Sequence, residues 1–63
     1  MADNKNFIQG VAIALSIIQS SFDQPRHCAE VLNACNLDRR KMKRAGVDDY
    51  DLKILRPVFA ELK

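Results

Sequence analysis

From Asn6 to Phe22 the chain carries no charged side chain, although 29% of its residues are Asp, Glu, Lys or Arg. Such a stretch has to be covered, and 63 residues offer little to cover it with. At about 100° per residue on an α-helix, Phe7, Ile8, Val11, Ala14, Leu15, Ile18 and Phe22 fall within roughly 120° and form a core-facing side. Ile13 and Ile17 lie about 130° away, beside Gly10, as a second and narrower apolar stripe. Leaving both isoleucines in water forfeits roughly 1.5 to 3 kcal/mol each, a large share of what so small a domain holds. Either the last helix wraps over the stripe within one chain, or a partner covers it. The other helices are needed on the main face, so the stripe of Gly10, Ile13 and Ile17 reads as a helix-helix interface. Small Gly10, Ser20 and Ser21 would allow close approach there, and a second copy of the chain is the simplest occupant.

The length permits one domain with a core near the lower limit for independent folding. A hydrophobic content of 48%, with two prolines and two glycines, argues for order throughout residues 1–63. The unbroken apolar part of the first segment is interrupted by Gln9, Gly10 and Ser16, well short of the roughly 20 residues of a membrane span. Lys5, the run to Ile18 and the small Ser20 and Ser21 imitate an export signal, but Asp3 sits in its would-be basic region, and cleavage would leave too little chain to fold. Cys28 and Cys35 are seven positions apart, about 10 Å along one helix, too far for an intramolecular disulfide. The expectation is therefore reduced, core-facing thiols and a cytoplasmic location, the alternative being a bridge between two chains.

Punctuation along the chain divides it into helices at about 4–22, 24–35, 39–45 and 49–62. Asp3 or Asn4 can cap the first, and Asp23 with Pro25 can open the second, whose apolar side is Cys28, Val31, Leu32 and Cys35. Cys35-Asn36-Leu37-Asp38 and Ala45-Gly46-Val47-Asp48 then repeat one device. A residue tolerant of the left-handed conformation ends a helix, an apolar residue folds back on it, and an Asp caps the next. In the last segment Leu52, Leu55, Phe59 and Leu62 share a side flanked by Ile54 and Val58, and Pro57 kinks or breaks the helix. No segment alternates with period two. The predicted architecture is all-α, a small bundle of three longer helices plus one short basic helix, dimeric through the first helix.

On that short helix Arg39, Arg40, Lys41, Lys43 and Arg44 surround a single apolar residue, Met42. With Met42 turned inward, Arg39, Arg40, Lys43 and Arg44 spread over one exposed face suited to an acidic partner or a phosphate backbone. About twenty residues here resemble a helix-turn-helix. Val31 and Cys35 stand on the first helix, Asn36 and Leu37 in the turn, Asp38 at the cap, and Met42 and Ala45 as inward anchors of the second. The resemblance implies that the outward Arg39, Arg40, Lys43 and Arg44 grip DNA. Two departures weaken it: Leu32 stands where the motif has a small residue, and Gly46 cuts the second helix to about two turns. The plainer account is a solvated basic face balanced by the acidic turn at 48 to 51, since net charge is only +2 and the pI about 8.7.

Catalysis finds little support in this pattern. His27 and Cys28 are adjacent, so on a helix they point about 100° apart and do not pair as base and nucleophile. One His and two Cys do not supply the four ligands of a structural zinc site, no glycine-rich phosphate loop is present, and Glu30 and Glu61 read as exposed helix carboxylates. The expectation is a non-enzymatic protein without metal, cofactor, membrane contact or small-molecule substrate. It would act as a homodimeric regulatory or adaptor protein through Gly10, Ile13 and Ile17, with the basic face for an acidic protein partner. The alternative is a small DNA-binding protein that uses the element at 28–46 on duplex DNA.

Overall fold

The computed structural model describes residues 5–62 and is helical throughout, with no strand among them. Five helices follow in order: α1 (Lys5–Phe22), α2 (Pro25–Ala34), α3 (Arg39–Arg44), α4 (Asp49–Ile54) and α5 (Arg56–Ala60). The proposed caps Asp3 and Asn4 lie outside the described residues. At 1.5 Å per residue α1 is about 27 Å long, nearly the full 30 Å of the molecule's longest dimension. The other helices are laid along it. α1 packs chiefly on α4 and also on α2 and α3, while α2 packs on α5.

The two repeated turns form as their sequences dictate. Asn36 takes φ +58° and Gly46 φ +89°. After Asn36 the Leu37 N–H donates back to the Leu32 carbonyl at 2.8 Å, and after Gly46 the Val47 N–H donates to the Met42 carbonyl at 3.1 Å. These reverse bonds satisfy carbonyls that a helix end leaves without partners, and they deliver Leu37 and Val47 into the core. Asp38 then opens α3 by accepting the Lys41 N–H at 2.9 Å. The equivalent Asp48 makes no side-chain cap bond. Asp23 also departs from its expected role: at φ +51° it closes α1, its N–H donating to the Gln19 carbonyl at 3.0 Å, and Gln24 stands at the start of α2.

The expected fourth helix over 49–62 is two short helices, so the described residues form five helices rather than three longer ones and a short one. Pro57, near the start of α5, has no N–H to continue the ladder from α4, and the chain turns at Leu55. The turn drives Leu55 and Val58 inward, both with no exposed surface, beside Leu52. Phe59 and Leu62 pack only partly on this core.

The inward side of α1 corrects the sequence expectation most. Its buried residues are Ile8, Ala12, Leu15, Ser16 and Gln19, a side centred about 80° round the helix from the predicted one. Phe7, Ala14, Ile18 and Phe22, expected in the core, are exposed, and Val11 is half-buried. Ala12 and Ser16 are small enough for close packing, and Gln9 Nε2 donates to the Ala45 carbonyl at 2.7 Å, fastening the end of α3 to α1. In α2 Cys28 and Leu32 are buried as expected, whereas Val31 is exposed and Cys35, half-buried, stands just beyond the helix.

Candidate functional site: an apolar helix face and a basic groove

Two surfaces result. The first is the outer side of α1. Because the core takes the side around Ala12, the opposite ridge consists of Gly10, Ala14, Ile17 and Ser21, all exposed. Ile13 and Ile17 keep 54% and 57% of their surface in water, so neither is wrapped by α4 or α5. No heavy atom lies within 4 Å of where a Cβ on Gly10 would stand. The expected stripe is thus open along its length. It is also wider than expected, for Phe7, Ile18 and Phe22 are exposed on the same helix. Ile13 sits at its other edge, next to a depression lined by Gln9, Gly46, Val47, Asp48 and Asp51.

The inward side of the same helix holds polar groups. Ser16 and Gln19 are buried, and neither Ser16 Oγ nor Gln19 Oε1 has a hydrogen-bond partner, although Gln19 Nε2 donates to Asp23 Oδ1 at 2.9 Å. α1 therefore has polar atoms inside and large apolar side chains outside. Residue ranking by hydropathy missed this. The signal available was the i, i+4, i+7, i+11 spacing of Ile8, Ala12, Leu15 and Gln19, in which Ala12 marks where a neighbouring helix comes close.

The second surface is α3. Met42 has no exposed area and Ala45 is buried, so Arg39, Arg40, Lys43 and Arg44 all face outward as the sequence predicts. The fifth cation is committed elsewhere, for Lys41 Nζ donates to the Asn36 carbonyl at 2.8 Å. The four outward cations do not stand on a bare convex surface. Together with Asp38, Phe59 and Leu62 they line an open groove between α3 and the last turn of the chain. No ion pair joins them to another described residue, the acidic turn at 48 to 51 included. Of the helix-turn-helix comparison the turn and the inward Met42 and Ala45 are observed, but Val31 is exposed, Cys35 stands beyond α2, and α3 has only six residues and packs on α1 and α4 more than on α2.

The other candidate residues are placed as follows. His27 is exposed with Nδ1 3.0 Å from Gln24 Oε1, while Cys28 beside it points into the core, where burial pushes its thiol pKa up. Glu30 and Glu61 come to one surface depression with Arg26 and Asn33, both carboxylates exposed. Among the described residues no group of three or more His, Cys, Asp or Glu is placed to hold a metal ion, and no helix is long and apolar enough to cross a membrane. No protein-family model, no curated protein and no solved structure matches the chain.

Proposed function

We propose that this is a non-enzymatic regulatory or adaptor protein that self-associates through the outer face of α1 and offers its basic face to an acidic protein. One observation carries the reading: α1 turns Ser16 and Gln19 inward and leaves Ile13, Ile17, Ile18 and Phe22 in water. Rolled by about 80°, the helix would bury Ile18 and Phe22 and turn Ser16 and Gln19 toward water. The orientation makes sense when the outer face is itself an interior surface of an assembly. A dimer of ordinary stability takes roughly 800 Å² from each partner, under a fifth of the 4503 Å² this chain exposes. On the ridge Gly10, Ala14 and Ser21 are small enough for two helices to approach closely, while Ile17 among them and the larger side chains on either flank supply apolar contact.

Light scattering at tens of micromolar should give twice the 7.1 kDa chain mass. The pair Ile13→Asp and Ile17→Asp should return it to the mass of one chain with the helical circular dichroism retained. A wild-type mass of one chain overturns the reading. Duplex DNA is the weaker alternative, because two turns of α3 make a short recognition helix and an apolar pair, Phe59 and Leu62, shares its groove.

A further inference from the structure

We infer that the groove between α3 and the segment from Phe59 to Leu62 is a docking site for an acidic, amphipathic peptide segment of a partner protein. This rests on the reading that the protein acts by binding another protein, and it specifies the chemistry of that protein's docking segment. Four features of the groove converge on it. Arg39, Arg40, Lys43 and Arg44 are exposed along it and form no ion pair with a described residue, so no described carboxylate pairs with the charge there. Phe59 and Leu62 present partly buried apolar surface between those cations and the core. Lys41 is withdrawn from the set by its bond to the Asn36 carbonyl. Asp38, the one carboxylate among the described residues that line the groove, is engaged as the cap of α3.

The complement of cations set round apolar side chains is an apolar anchor flanked by carboxylates. Arginine favours such a site because its planar, weakly hydrated head pairs with carboxylates while its stem packs on apolar groups. A duplex phosphate backbone meets the cations but has nothing apolar to set against Phe59 and Leu62. Single-stranded nucleic acid uses successive aromatics as stacking platforms, and this groove holds one partly buried phenylalanine.

A phage-displayed library of random 12-residue peptides, panned against the full chain, should enrich sequences with two or more Asp or Glu around a Leu, Ile, Met or Phe. An enriched peptide, made synthetically, should bind more weakly as salt rises, and at least about tenfold more weakly to the double variant Arg40→Glu, Lys43→Glu and to Leu62→Ser. The charge variant alters only exposed residues, so its fold is preserved, and circular dichroism verifies both. The inference is overturned if no peptide is enriched, if enriched peptides lack acidic residues, or if neither variant weakens binding. Displacement of the peptide by an equal concentration of oligo-dT or a duplex overturns it in favour of nucleic acid. No α1 residue lines the groove, so a folded Ile13→Asp, Ile17→Asp protein should still bind the peptide. Loss of self-association and loss of docking are thereby read separately.

Discussion

The two cysteines show how much a single position decides. Cys28 keeps 1% of its surface exposed and its thiol pKa is raised by that burial, whereas Cys35, one residue past α2, is half-buried. A thiol reagent at neutral pH should modify Cys35 first, with Cys28 reacting only when the protein unfolds. The sign of the pH effect follows. The unfolded chain releases the Cys28 proton at lower pH than the folded chain, so its contribution to stability is complete below the unfolded pKa and is lost as pH rises through the raised folded pKa. Denaturant midpoints measured from pH 7 to 10 should fall at the alkaline end, and Cys28→Ala should flatten that fall. Gly46 is another decisive position. At φ +89°, with a Cβ 3.3 Å from Gln9 Nε2, Gly46→Ala is strained on two counts and should cost about 1 to 2 kcal/mol in chemical denaturation. Residues of this kind were legible in the sequence. Asn36, Gly46 and Asp38 act through bonds to neighbours a few positions away, and local chemistry is what a sequence displays.

At the level of the helix, legibility fails where packing decides. The outward stripe of Gly10, Ile13 and Ile17 was readable from its angle alone, and so was the basic side of α3, because Met42 left one inward direction. The inward side of α1 was not, since hydropathy favours Phe7, Ile18 and Phe22 and gives no credit to the small Ala12 and Ser16. The side that carries those small residues is the one buried where α2, α3 and α4 pack on α1, and no count along one helix contains that information. α4 and α5 show the same limit, for Pro57 announces a disturbance while only the burial of Leu55 and Val58 decides that it is a break. Gly10→Ala tests the α1 face. Open space surrounds the added methyl in one chain, so the substitution should raise the stability of the dissociated protein by up to about 1 kcal/mol through helix propensity. On a tightly apposed face the same methyl should weaken self-association. Thermal scans of a dilute sample and sedimentation of a concentrated one check the two effects.

For the whole molecule the core is a single cluster running from Ile8 and Ala12 through Leu32 and Met42 to Leu55 and Val58. A domain of this size holds only about 3 to 5 kcal/mol from such a core. Leu55→Ala, a truncation at a site with no exposed surface, should lose about 2 to 5 kcal/mol and leave the chain largely unfolded at 37 °C, as circular dichroism would show. If copies associate through α1, the unfolding midpoint should rise with protein concentration and cease to do so in Ile13→Asp, Ile17→Asp. The twin corners at Asn36 and Gly46 bear on time as well as on energy. Each closes a loop of six residues by a reverse bond to the turn before it, so the sharpest reversals between α2 and α4 need no distant encounter. The search left to the chain is largely the laying of these corners along α1. Folding should therefore finish within microseconds to milliseconds, the range of helical proteins rich in near-neighbour contacts, so the outer face of α1 should be formed before any encounter between chains.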